Sequence, residues 1–319
     1  MPQEVIVARD LRHSYDGKRF ALNGVDLSVH KGEVFGLLGK NGAGKTTLIK
    51  VMTTLIRATS GELQILGMDP VHRGKEIRSR IGVVQQGESF DFTSVEGNLD
   101  IYGVLWGVPK GLRQQRREEL LHRFEIDDIR KERSFDLSGG QKRRVQVARE
   151  FMHDMDILFL DEPTVGLDVI MRRKLLDSIR EQVRGGLTVL FTTHNLEEAD
   201  YLCDRVAVID SGRILVNDTL ENLKRRYGGK RTIEVTVALS NAEAYFEALG
   251  HRLSDQASVR REGGSGLILT SDVRGALGHI TELASAQGAQ IEWLNVRKNT
   301  LEDVFLNTVA HPPENDGAA

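Results

Sequence analysis

The chain has 319 residues, 40% of them hydrophobic and 28% charged, with a formal net charge of −3. That length suits two domains or one large domain with an appendage, and the near-neutral balance gives no support to nucleic-acid binding. A single cysteine, Cys203, rules out an internal disulfide and fits a reducing compartment, while no apolar run approaches the ~20 residues that span a bilayer, so a membrane role is expected to come through a partner.

The first ten residues mix acids and bases and lack the apolar stretch of a signal peptide. Residues 5–11 read as a strand. Leu22, Val25, Leu27 and Val29 continue a β-rich opening, with turns expected at Gly17, Gly24 and Gly32. Residues 34–38 form a continuous apolar run, the pattern of a strand buried on both faces. It leads straight into Gly39-Lys40-Asn41-Gly42-Ala43-Gly44-Lys45-Thr46, then Thr47 and a helical stretch to Met52. This matches the phosphate loop G-x-x-x-x-G-K-[ST], in the strand-then-helix context the loop requires. Glycines let backbone N–H groups turn inward around a phosphate, and the helix start adds its positive dipole end. Lys45 is expected on the β- and γ-phosphates of ATP, and the Thr46 hydroxyl on Mg²⁺. A glycine-rich turn without function is the bland alternative.

Residues 81–84 read as another short strand. Over residues 94–133, Leu99, Tyr102, Leu105, Leu112, Leu120, Leu121 and Phe124 sit among many charges, which suggests several helices. The charged run 113–133 reads as their solvated face, with contact to anionic lipid headgroups as the alternative. Four apolar residues, 157–160, then end in Asp161-Glu162. A buried strand delivering an acid to the edge of a sheet is what Mg²⁺ positioning needs, so Asp161 is the expected metal ligand. Glu162, one residue on, points elsewhere and is the candidate general base. On its own the pair also reads as a solvated acidic turn. A helix over 171–183, a buried strand over 188–193 and a strand pair turning at Ser211-Gly212 complete a first domain assigned to 1–223. Cys203 reads as a packing residue.

Residues 224–231 are basic and interrupted by glycine, and read as a linker. Beyond them come a half-buried strand at Ile233, Val235 and Val237, a helix over 241–249 and strands over 258–261 and 266–270. A helix with Val273, Leu277, Ile280 and Ala284 on one face, a strand over 290–296 and a helix over 301–309 follow. The order β-α-β-β-α-β suggests a small ferredoxin-like α+β module over 232–309, with 310–319 as a disordered tail. No internal repeat is found.

Leu137-Ser138-Gly139-Gly140-Gln141 resembles the signature motif of ATP-binding-cassette (ABC) ATPases, and the likeness covers about residues 4–220 with the family's landmarks in order. It implies an α/β P-loop NTPase nucleotide-binding domain. That domain has a RecA-like core, an antiparallel β subdomain and a helical signature subdomain at about 94–150. By the same resemblance Tyr15 is the aromatic that stacks on adenine, and Gln86 is the glutamine that senses Mg²⁺, shares in catalysis and contacts the transport partner. Asp168 belongs to the loop Val165-Gly166-Leu167-Asp168 and joins the nucleotide-binding set, while His194 is the switch histidine beside the γ-phosphate. On the residues alone, Tyr15 also reads as a packing aromatic and His194 as a structural histidine. Ser138 offers a hydroxyl, and Gly139 and Gly140 offer bare N–H groups at the start of a helix, so this is a second anion site. In the family it meets the γ-phosphate held by the opposite subunit. Lys40, Gln85 and Glu150 depart from the family's usual residues without removing a catalytic group.

Residues 300–306, Thr-Leu-Glu-Asp-Val-Phe-Leu, resemble the ending of one branch, the ATPase subunits of ABC-2-type exporters, among them daunorubicin and other antibiotic-resistance pumps. The resemblance implies an ATP-hydrolysing subunit that uses ATP and Mg²⁺ and works as a dimer, expected to be a homodimer. It would sit on the cytoplasmic face of the cell membrane through a separately encoded ABC-2-type permease. Read physically, the ending is a capped packing helix, with a regulatory or dimer-contacting role equally open. A soluble ABC protein acting on ribosomes or DNA is the alternative, disfavoured by the single cassette and the short separation of its two nucleotide motifs. A plain P-loop kinase would have no use for residues 137–141.

Overall fold

Two kinds of strand build the N-terminal part of the chain, half-buried alternating ones and continuous apolar ones. In the computed structural model, which describes residues 3–87, 93–238, 242–253, 257–262 and 265–310, the chain divides between Leu220 and Glu221 into two units. The first opens with β1 (Glu4–Ser14), β2 (Phe20–His30), β3 (Val34–Leu38), α1 (Lys45–Met52), β4 (Ser60–Ile65), α2 (Pro70–Arg78) and β5 (Ile81–Val84). A helical stretch follows, α3 (Val95–Leu105), α4 (Lys110–Arg123) and α5 (Gly139–Glu150). The unit ends with β6 (Ile157–Asp161), α6 (Val169–Arg184), β7 (Thr188–Thr193), α7 (Leu196–Leu202), β8 (Arg205–Asp210) and β9 (Arg213–Thr219).

The alternating strands form a three-stranded antiparallel sheet in the order β2-β1-β4. The apolar strands form a six-stranded sheet in the order β5-β6-β7-β3-β8-β9, parallel except for β9 at its edge. Every residue of β3, β6 and β7 is buried, as strands covered on both faces require. This order places the carboxyl ends of β3 and β6 on either side of β7, which brings the glycine loop and Asp161 to one edge of the sheet.

Gly24 does not make the expected turn. Leu11 pairs with Val25 and Arg12 with Asn23, so Gly24 is the extra residue of a β-bulge, with φ +80°. β4 and α2 escape the hydrophobic pattern because β4 buries one residue fully and α2 buries only Ile77.

Helix α5 is anchored to β5 by an acid. Glu150, 6% exposed, accepts the Val83 N–H at 3.2 Å, and its other oxygen lies 3.7 Å from Arg149 Nε. Burial, only partly offset by Arg149, pushes the Glu150 carboxyl from 4.5 up to about 7. A folded value above the unfolded one means that the unfolded chain releases this proton first. Stability therefore falls as pH rises from about 4.5 to about 7 and is level above that, a cost of about 3 kcal/mol. Glu150→Gln mimics the protonated form and keeps an acceptor for Val83. Its melting temperature is expected to exceed that of the unaltered protein at pH 8 by on the order of 5–10 °C, with the difference closing at pH 4.5. Thermal melts in the two buffers check this.

The second unit continues with α8 (Leu220–Tyr227), β10 (Arg231–Ala238), α9 (Ala242–Leu253), β11 (Ala257–Glu262), β12 (Ser265–Thr270), α10 (Val273–Gln287), β13 (Gln290–Val296) and α11 (Leu301–Ala310). Its sheet has the order β11-β12-β10-β13 with every neighbouring pair antiparallel, the split βαβ arrangement. Ile233, Val235 and Val237 of β10 pack under Tyr245, Phe246 and Leu249 of α9 and Ile280 and Leu283 of α10. The basic stretch 224–231 is not the expected linker: up to Tyr227 it is the last turn of α8, whose Lys224 and Tyr227 carbonyls accept from Asn299 and Asn307. Thr300 caps α11 in a reciprocal pair with Asp303, and Leu301 and Val304 are buried. Of the expected tail 310–319, Ala310 instead ends α11, and the rest, like Asn241, lies outside the described residues.

Candidate active site

The glycine loop joins β3 to α1, and its glycines are required for different reasons. Gly42 and Gly44 have φ of +81° and +112°, the left-handed region. Gly39 has no room: a Cβ there would lie 2.4 Å from the Ile209 carbonyl oxygen. At Gly44, which precedes the first helical residue, a Cβ would also meet the Ala21 carbonyl oxygen at 2.7 Å. Lys45 is buried, and its ammonium donates to the carbonyls of Gly39 at 2.6 Å and Lys40 at 3.3 Å. Burial lowers its pKa, against the opposing pull of Glu162 and Asp161.

The acids arrive at the end of β6. Asp161 Oδ2 accepts from the Thr46 hydroxyl at 3.3 Å, and Oδ1 accepts from the Thr192 hydroxyl of β7 at 2.6 Å. The strand order makes this possible, because β7 lies between the strands that carry the loop and the acid. Glu162 leaves the strand with φ +53°, a conformation costly for any side chain but glycine. Its N–H donates to the Thr192 carbonyl and hydroxyl oxygens, both at 3.1 Å. Its carboxylate lies 2.6 Å from His194 Nδ1. Glu162 is buried, whereas the His194 side chain is 69% exposed and so free to meet a ligand.

Beside these groups lies a cavity of about 350 Å³, which His194 does not itself line but reaches through Glu162. Lys40, Asn41, Gly42, Gly44, Lys45, Thr46 and Thr47 line it from the loop side, and Gln86, Asp161 and Glu162 from the other. Tyr15 is 64% exposed, with its hydroxyl 3.3 Å from that of Thr47. Thr46 Oγ1 and Asp161 Oδ2 make a pair of hard oxygen donors that fits Mg²⁺, an ion that takes one or two protein ligands and fills its shell with phosphate and water.

The signature residues behave differently. The Ser138 hydroxyl accepts the Gln141 N–H and the Gln141 side chain accepts the Ser138 N–H, a capping box at the start of α5. Hydroxyl and amide are thus engaged at home, and Gly139 and Gly140 hold the first-turn N–H groups that no helix satisfies internally. Asp168 caps α6 by accepting the Met171 N–H at 2.9 Å. Neither residues 138–141 nor Asp168 line the cavity.

Three contributors were not legible in the sequence. Ala21 of β2 closes the loop side of the cavity. Thr192 fixes both acids, though its place one residue before the Thr193-His194 strand end was a signal. Arg143, inside the run Lys142-Arg143-Arg144, reads as a surface charge yet is 5% exposed beneath the acids.

Comparisons with known proteins agree on one family. Residues 22–165 match the family model described as ABC transporter. The daunorubicin resistance ATP-binding protein DrrA2 of Streptomyces coeruleorubidus is 37% identical over 95% of this chain and 94% of its own. The linearmycin resistance ATP-binding protein LnrL of Bacillus subtilis is 32% identical over 95% and 97%. Among solved structures, an ATP binding subunit of an ABC transporter superposes with a TM-score of 0.66 at 26% identity, over 70% of this chain and 93% of that one.

Proposed function

The chain belongs to the family of ABC transporter ATP-binding proteins, and from that premise we propose that it is the ATP-hydrolysing subunit of an antibiotic exporter, with each residue of the site in a defined role. The observation that carries this is the convergence of Lys45, Thr46, Gln86, Asp161 and Glu162 on one cavity, with His194 bonded to Glu162. The triphosphate of ATP lies along the loop N–H groups, with Tyr15 against the adenine and Lys45 across the β- and γ-phosphates. Thr46 and Asp161 would hold Mg²⁺, with Gln86 beside it, and the ion when bound neutralises charge between the two phosphates. Glu162 takes the proton of the attacking water, and His194 fixes the carboxylate and turns its exposed ring toward the γ-phosphate.

Residues 138–141 lie outside their own chain's cavity, which supports a face-to-face homodimer in which Gly139 and Gly140 of one copy close the γ-phosphate side of the other. Among the described residues no helix is long and apolar enough to cross a membrane. Transport then takes place in a separate permease, of ABC-2 type as the 300–306 ending suggests, with this chain on its cytoplasmic face. Relatives named for daunorubicin and linearmycin resistance support this over a role on ribosomes or DNA, and they support an antibiotic as cargo. The β-α-β-β-α-β unit that begins with β10 is an accessory domain.

Dilution tests the shared site. ATP turnover per chain is expected to fall as the protein is diluted below its dimer dissociation constant, while ATP binding persists. Turnover per chain that stays constant across that range would exclude the shared site.

A further inference from the structure

Arg143 stands two residues past the signature capping box on α5, and its buried side chain reaches the backbone of the acids. Among the described residues its guanidinium reaches the backbone carbonyls of Gln85, Asp161, Glu162 and Pro163. Nε donates to Pro163 O at 3.0 Å, and Nη2 to Asp161 O and Glu162 O, each at 2.7 Å. Nη1 donates to Gln85 O at 2.6 Å and to Gln146 Oε1 at 2.9 Å. Gln146, on the same helix, donates in turn to Gly87 O at 3.1 Å. The three carbonyls of residues 161–163 belong to successive peptide groups, so those on both sides of the Glu162 α-carbon are held. That α-carbon carries the left-handed φ of +53°. A backbone conformation disfavoured for glutamate persists where its surroundings over-determine it, and here one side chain supplies much of that constraint.

We propose that Arg143 is a positioning residue for ATP hydrolysis: from the signature helix it clamps the peptide groups flanking Glu162 and ties that clamp to the Gln85 carbonyl beside Gln86. The inference rests on the reading of Glu162 as the general base. The clamp needs a planar fork with five donors, which arginine has and lysine lacks. It makes the aim of the Glu162 carboxylate depend on where α5 and the Gln85–Gly87 segment sit. A shift of either is thereby felt at the base without passing through the nucleotide.

The test uses the full chain with Arg143→Lys, alone and combined with Glu162→Gln. ATPase kinetics are measured alongside binding of a fluorescent ATP analogue and thermal melting. Arg143→Lys is expected to fold and to bind the analogue within about threefold of the unaltered chain, with kcat lower by about 10²-fold, the scale of a misplaced catalytic group. Added to Glu162→Gln, the same change should alter the residual turnover by less than about threefold, because the clamp then has no base to aim. Three results overturn the proposal: an unfolded Arg143→Lys chain, analogue affinity falling in step with kcat, or the full kcat loss persisting in the Glu162→Gln background. Glu162→Gln alone reports separately on the base, since full turnover there removes that reading whatever Arg143→Lys does.

Discussion

Glu162→Gln is expected to lower ATP turnover by about 10²–10⁴-fold, the usual contribution of a positioned general base, with ATP affinity close to that of the unaltered chain. The substitution changes little in shape. A carboxamide fills the same space, and its oxygen can still accept from His194 Nδ1, which now lies 2.6 Å from the carboxylate. The backbone bonds from the Glu162 N–H to Thr192, and those its carbonyl accepts, involve no side-chain atom of residue 162 and remain. Only the ability to take a proton from water is lost. Nucleotide closure should therefore proceed while its reversal by hydrolysis does not, so the variant should accumulate as an ATP-bound dimer in size-exclusion chromatography. Turnover within threefold of the unaltered chain would remove Glu162 from the role of base.

Lys45→Met should act at an earlier step. Lys45 is the buried cation of the loop, held by the carbonyls of Gly39 and Lys40 and facing Asp161 and Glu162. Removing one partner of a buried charge pair costs about 2–5 kcal/mol, or about 30- to 4,000-fold in affinity. Both ATP binding and kcat/KM are expected to fall on that scale, in contrast to the nearly pure kcat loss at Glu162. Burial also lowers the Lys45 pKa, so its charge is lost at a lower pH than an ordinary lysine's. In the unaltered chain, ATP affinity should weaken on the alkaline side before the usual lysine range, and Lys45→Met should abolish that limb. Nucleotide titrations across pH read both effects. Undiminished ATP affinity in Lys45→Met would break the assignment of Lys45 to the phosphates.

The contrast between Asp161 and Arg143 shows where sequence reading succeeds. Asp161 was legible because its signal is local: four apolar residues force a buried strand, and the acid that ends it must appear at the strand's carboxyl end. The glycine loop was legible for the same reason, since its spacing is fixed by what a phosphate requires of one continuous stretch of backbone. Arg143 has no such signal. It is one cation among several on a short helix, and only packing turns it beneath the acids to meet carbonyls 18 and 58 residues distant along the chain. Ser138 and Gln141 carry two meanings: their pattern fits a ligand site on an opposite subunit and a capping box, and within one chain the box engages them.

By itself the sequence determined the motifs: the loop at residues 39–47, the acids at the end of β6, the histidine after β7 and the signature at the start of α5. These follow from rules that act over a few residues, namely strand burial, glycine conformation and helix starts. Only the tertiary structure decided how they meet. The strand order put Thr192 between the loop and Asp161, and a bulge rather than a turn absorbed Gly24. A buried guanidinium bound the signature helix to the backbone of Glu162. Such facts depend on which distant segments pack together, and packing is settled by the whole core rather than by any stretch of residues within it.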